Sequence, residues 1–287
     1  MATEIDKLKA KLEKLEAGLR DLLESTGRDL EVARELQKTL LKNRTPEISG
    51  LTVFARFISA GELSAEAFDL LPTKDGRQLW FTASWTSTFG LGSLLLQTLV
   101  HLQSRALVES KPRITPSEAF NDISTALTQA RRAGKYRLMV GRLDMSSLLV
   151  EGVSIGMAPL LRRTREKNRF GAFETVQDEA FRQSPHLIQP GMSAAPTLAA
   201  DAHNFSFTLA PGSRLFYLSP TWREPLTVGE FTQPLRLSDE NGQTGLDLSD
   251  DMNRLLLAAE KYLENRGTKA DLTALAFEVD ARRLHLA

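Results

Sequence analysis

The sequence predicts an α/β domain carried behind one long N-terminal helix, and three observations predict it. Residues 3–42 repeat apolar side chains at steps of three and four, with Lys and Glu between them. From Leu51 the period shortens to that of strands rich in β-branched and aromatic residues, and an Asp75-Gly76 pair separates two of these runs. Helical and strand periods then interleave to the end of the chain, which supplies apolar helix faces with sheets to cover. At 287 residues and 42% hydrophobic content the chain can bury a full core. The expected division is 1–45 for the helix and 46–287 for the globular domain.

In the N-terminal helix, Ile5, Leu8, Leu12, Leu15, Leu19 and Leu22 form the a/d seam of a coiled coil. So narrow a stripe on so long a helix cannot bury itself, which favours parallel pairing with a second copy over folding back on its own domain. The register slips near Gly27; Leu30, Ala33, Leu36 or Gln37, and Leu40 then resume an apolar face until Pro46 ends the helix.

Strand character at Leu51–Ile58 opens the globular domain. Residues 61–72 and Leu79–Ala83 read as strands joined by the Lys74-Asp75-Gly76-Arg77 turn, and Gly90-Leu91-Gly92-Ser93 turns the chain sharply into an apolar helix over Leu91–Val108. Thr115-Pro116-Ser117-Glu118 starts a second helix, Pro116–Arg132, and the two should cover one sheet. Strands follow at Tyr136–Leu143, Ser147–Val153, Met157–Arg163, Phe205–Leu209 and Leu215–Leu218, with an irregular stretch over 164–201. A helix over Asp250–Asn265, with Ser249 as N-cap and Gly267 as C-cap, precedes the last strand from Leu272.

Composition excludes several classes of function. The 36 basic and 36 acidic residues cancel, so no long-range field draws the chain to nucleic acid or an anionic membrane. Without cysteine there are no disulfides, thiolate chemistry or Cys-based zinc sites, and with no run of about 18 apolar residues a cytoplasmic location is expected. His101, His186, His203 and His285 show no metal-ligand spacing. The basic run Arg162, Arg163, Arg165, Lys167 and Arg169 lacks interleaved aromatics and reads as a solvated strand end. Ser84, Thr86, Ser87 and Thr88 read as a hydrogen-bonded turn, because no nucleophile elbow surrounds them.

Several phrases carry a specific likeness. Glu66, Phe68, Asp69 and Leu70 fit a strand of the form Gly-Gly-Asp-Phe-Tyr-Asp-Leu, and Val53–Ala60 fits Val-Ala-Ala-Arg-Tyr-x-Pro-Ala. Ala210-Pro211-Gly212-Ser213-Arg214 with Leu215–Tyr217 fits Leu-x-Pro-Gly-Asp-Arg-Leu-Leu-Leu, Ile155–Leu161 keeps the shape of Ala-Gly-His-Pro-Pro-Leu-Leu without its His, and Gln37, Leu40 and Leu41 fit an amphipathic connecting helix. Over about residues 30–280 the chain thus resembles the PP2C-like serine/threonine phosphatases of the SpoIIE and RsbU type. The resemblance implies an α-β-β-α sandwich of two stacked, largely antiparallel sheets flanked by helices.

In that family two Mg or Mn ions held by carboxylates activate the attacking water, which requires clustered anionic oxygens. Of the four metal positions the resemblance implies, Glu66 keeps a carboxylate, whereas Ser84, Ser219 and Ala270 supply none. The expectation is a catalytically inactive pseudophosphatase without catalytic residues or cofactor, acting as a dimer that binds a protein partner in bacterial signalling. The alternative is an active enzyme whose Mg or Mn site is rebuilt from Glu66, Asp69 and Asp271. Trp85 and Trp222 would fill the vacated site if both face it.

Overall fold

The computed structural model describes residues 18, 27–37, 39, 46–59, 63–87, 91–129, 136–157, 160–166, 169–170, 174–175, 202–219, 247–267 and 270–280. The seam from Ile5 to Leu22, Leu40 and Leu41, Trp222 and most of 164–201 lie outside them.

Helix α1 covers 27–37, with Gly27 inside the helix. Strand β1 (Leu51–Ile58) and the hairpin β2 (Glu66–Pro72) and β3 (Gln78–Thr86) follow, then helices α2 (Leu91–Ser110) and α3 (Pro116–Gln129). Strands β4 (Tyr136–Asp144), β5 (Leu149–Ile155) and β6 (Leu161–Arg163) lead to the short β7 (Arg165–Glu166), β8 (Arg169–Phe170) and β9 (Glu174–Thr175). The chain continues through β10 (His203–Thr208), β11 (Arg214–Leu218), α4 (Leu248–Asn265) and β12 (Leu272–Val279). Among the described residues no helix is long and apolar enough to cross a membrane.

Local chemistry explains the turns. At the β2–β3 hairpin Gly76 adopts φ 66°, and the Asp75 carboxylate accepts from the Thr73 hydroxyl at 2.7 Å and the Arg77 amide at 3.1 Å. Helix α3 opens with a reciprocal capping box: Glu118 accepts from the Thr115 amide at 2.8 Å, and the Glu118 amide donates to the Thr115 hydroxyl at 3.2 Å. Strand β5 starts two residues later than the sequence suggests, because the Asp144 carboxylate holds the Ser146 and Ser147 amides, each at 2.9 Å, in the preceding turn. Burial pushes the Asp144 carboxyl up, but the Ser146 and Ser147 hydroxyls and amides outweigh it and hold the group at about 2. Helix α4 begins at Leu248 with Asp247, not Ser249, at its N-cap; the Ser249 hydroxyl donates to Asp247 Oδ2 at 3.3 Å instead. Gly267 closes that helix at φ 63°.

Two antiparallel five-stranded sheets result, ordered β1-β12-β11-β6-β9 and β10-β5-β4-β3-β2, with β7 and β8 forming a separate pair. Their inner faces pack together through Leu215, Leu275 and Phe277 of one sheet and Leu70, Phe81 and Met139 of the other. Helices α2 and α3 cover the outer face of the second sheet through Leu96, Val100, Phe120 and Ile123, and α4 covers the first through Met252, Leu255 and Ala259. This is the α-β-β-α sandwich that the resemblance implies.

One rank across the second sheet runs Leu70, Phe81, Gly141, Gly152, Phe205. Both glycines are required by close approach: a Cβ at Gly141 would stand 2.3 Å from the Phe81 ring, and one at Gly152 would stand 2.3 Å from the Phe205 ring and 2.6 Å from the Val140 carbonyl oxygen. The two rings lie in the trough so formed, and Phe81 also meets Phe277 of the facing sheet at 5.7 Å between centroids.

Beneath α4 lies a buried ionic cluster. Arg163 and Arg214 are neighbours across β6 and β11, and both donate to Asp251 Oδ2 on the helix, Arg163 at 3.1 Å. Arg214 also reaches Glu278 of β12 at 2.7 Å. The basic run of the sequence therefore divides, since Arg163 is buried while Arg162 and Arg165 stay half-exposed.

Candidate functional site

Strand register decides which residues share the space between the sheets. Glu66 pairs across the ladder with Trp85, and Trp85 with Arg137, so these three form one rank on the inner face at the end of β2, β3 and β4. Glu66 is only 2% exposed, and the Arg137 guanidinium carbon lies 4.5 Å from the centroid of the Trp85 ring system. From the facing sheet Tyr217 reaches the same region, its hydroxyl 4.0 Å from Met157 Sδ. Burial pushes the Tyr217 phenol well above its usual value; the Glu66 charge pushes it further and the Arg137 charge pulls it back, so both charges act on one hydroxyl.

Ser84 is not in this rank. It pairs with Ala67 on the opposite face, which carries Trp80 and Leu71 toward the helices. The inward position of β3 next to Glu66 is therefore held by Trp85, because neighbouring residues of a strand point to opposite faces. Strand β3 is buried on both sides for most of its length, so hydrophobic alternation could not reveal its faces. Trp85 faces the space between the sheets beside Glu66, whereas Trp222, the other residue of that expectation, lies outside the described residues.

Ser219 lies fully buried where β11 ends, with its hydroxyl accepting from the Thr273 amide at 3.2 Å and its amide donating to the Thr273 carbonyl at 2.9 Å. It extends the β11–β12 ladder with its own side chain. Ala270 precedes β12 and offers only a methyl group.

The set Glu66, Asp69 and Asp271 does not converge. Asp69 stands three residues from Glu66 in β2, so it faces the helices, where its Oδ2 lies 2.6 Å from His101 Nδ1 and 3.8 Å from Arg105 Nε of α2. Asp271 Oδ2 accepts from the Ser64 hydroxyl at 2.8 Å and the Ala65 amide at 2.7 Å, and so serves as a clasp between β12 and the segment before β2. Among the described residues no group of three or more His, Asp or Glu is placed to hold a metal ion. The donor set therefore does not fit the two divalent cations the resemblance implies, which need several anionic oxygens around each ion. Strand β2 sends its two carboxylates, Glu66 and Asp69, to opposite faces.

Sequence reasoning missed Ser64, Gln97 and Arg137. Buried Gln37 of α1 donates to the Ser64 carbonyl at 3.0 Å and to Gln97 Oε1 of α2 at 2.7 Å, and accepts from the Ser64 amide at 2.8 Å. Gln97 and Ser93 donate to the same carbonyl, at 2.9 and 2.8 Å. The Ser64 hydroxyl accepts from the Glu66 amide at 2.9 Å while donating to Asp271. A continuous polar chain thus links α1 to the backbone of Glu66. Its partners lie too far apart in sequence to be read as a pattern. Arg137 did leave a signal, a charge sharing the two-residue period of the buried Met139 and Gly141.

No known family profile and no curated protein sequence matches the chain. Solved structures do match. The PP2C domain of SiaA from Pseudomonas aeruginosa superposes with a TM-score of 0.64 at 12% identity, over 90% of this chain and 99% of that one. The RsbU and RsbW domains of a Mycobacterium tuberculosis protein give a TM-score of 0.58 at 17% identity, over 82% of this chain and 63% of theirs. The phosphatase domain and regulatory fragment of the cell fate determinant SpoIIE from Bacillus subtilis give 0.57 at 14% identity, over 80% of this chain and 62% of that one. The chain therefore spans less than two thirds of the last two.

Proposed function

Because the chain has the fold of PP2C-type phosphatase domains, we propose that it is a metal-free, non-catalytic form of that fold, acting as a dimeric protein-binding regulator in bacterial signalling. The observation that carries this reading is the divergence of Glu66, Asp69 and Asp271: one faces the interior, one the helices, and one clasps backbone. Without convergent carboxylates among the described residues there is no means there to bring a metal-bound water to a nucleophilic state at neutral pH.

The chain is expected to show no Mn2+ or Mg2+ binding by calorimetry and no hydrolysis of p-nitrophenyl phosphate or a phosphoserine peptide. Micromolar Mn2+ binding, or Mn2+-dependent turnover lost in Glu66→Ala, overturns the reading.

Dimerisation through the N-terminal seam is supported by α1. This helix buries Ala33 and Gln37 against its own domain, yet leaves Val32 at 62% and Leu36 at 54% exposure. Val32 and Leu36 thus leave an apolar face on α1 that its own domain does not cover, as a surface that pairs with a second copy would. Replacing Leu12 and Leu19 by Asp should convert a dimer to a folded monomer, checked by light scattering at micromolar concentration. A full-length chain already monomeric there rules the pairing out.

A further inference from the structure

We propose that the Arg137 guanidinium, stacked on Trp85, is a built-in cation that balances Glu66 and closes this edge of the sandwich to divalent metal ions. The inference rests on the non-catalytic reading and deepens it by naming the group that stands in place of a metal.

A carboxylate as buried as Glu66 keeps its charge only beside compensating positive charge or donors. Glu66, Trp85 and Arg137 occupy successive strands in one rank. Neighbouring strands lie about 4.8 Å apart, which puts the Glu66 and Arg137 backbones roughly 10 Å apart, a span their extended side chains cover. The arginine is turned along this rank, since its guanidinium carbon sits over the indole of the residue between them. Tyr217, across the interface, feels both charges, with opposite sign.

Trp85 has two effects here. Its indole occupies the inward position next to Glu66 where a second carboxylate would be needed, and its ring face holds a cation without contributing negative charge. A divalent ion approaching Glu66 would meet a fixed guanidinium, and like charges at this separation in a poorly hydrated space repel strongly. An aspartate introduced at Ser84 would face the helices and leave this arrangement intact.

The first test is a double-mutant cycle on the full chain. Arg137→Met keeps the length of the stem and removes the charge, and should lower the melting temperature by roughly 8 °C, as expected when one partner of a buried charge pair is lost. In the Glu66→Gln background the same change should cost less than half as much. Additive losses overturn the charge balance. The second test titrates Mn2+ into Trp85→Asp and into Trp85→Asp/Arg137→Met. Binding at least tenfold tighter in the double variant is expected, and an equal response in the two, including none in either, overturns the exclusion. An additive cycle in a chain that binds no Mn2+ removes only this inference, whereas Mn2+ binding or turnover by the unmodified chain removes the non-catalytic reading itself.

Discussion

Replacing Asp251 by Asn is expected to destabilise the protein by about 3–5 kcal/mol, the range for breaking a buried ion pair from one side. Asp251 Oδ2 is the shared acceptor of Arg163 and Arg214, and all three side chains are almost wholly buried. Without the aspartate, two guanidinium groups lose their shared acceptor in a desolvated space, while Glu278, at 22% exposure, still reaches Arg214. For a domain of this size the loss corresponds to a fall in melting temperature of about 10 °C. Exchanging Arg163, Arg214 and Asp251 together for apolar residues should recover much of it, since the cluster's attraction is largely cancelled by its own desolvation. An Asp251→Asn variant melting within about 2 °C of the parent would show that the cluster contributes little, because so small a shift is under 1 kcal/mol.

Replacing Gln37 by Ala is expected to release α1 from the domain. Its amide pairs with both backbone groups of Ser64 and with Gln97, all buried. Losing it leaves donors and acceptors unsatisfied at about 1–3 kcal/mol each. Only the small Ala33 is buried beside Gln37 on the described part of the helix, so apolar packing does not make up the difference. Hydrogen exchange should show amides 27–37 losing protection while the strands keep theirs, the signature of local rather than global opening. The Ser64 hydroxyl holds the Glu66 amide and Asp271, so exchange at 64–66 should rise as well. Unchanged protection in α1 would mean that contacts other than this amide hold the helix.

The sequence by itself determined the features that rest on short-range chemistry. Asp75-Gly76 specified the β2–β3 hairpin because only residues tolerant of positive φ close such a turn, and Thr115 with Glu118 specified the start of α3 through a reciprocal cap. Alternating strand and helix periods were enough to place nearly every described element within a few residues. The opposite faces of Glu66 and Asp69 were also implicit, since residues three apart in a strand cannot point the same way.

Tertiary structure alone decided which of Ser84 and Trp85 meets Glu66. Both faces of β3 are buried, so hydrophobicity does not distinguish them, and only pairing with β2 sets the register. It likewise gave Asp271 its role, because its donors in Ser64 and Ala65 lie more than two hundred positions earlier in the chain. Patterns in sequence report energies that act over a turn of helix or a pair of strand residues. A buried carboxylate is answered by whatever group the fold brings to it, and for Glu66 the rank across three strands brings an indole and a guanidinium.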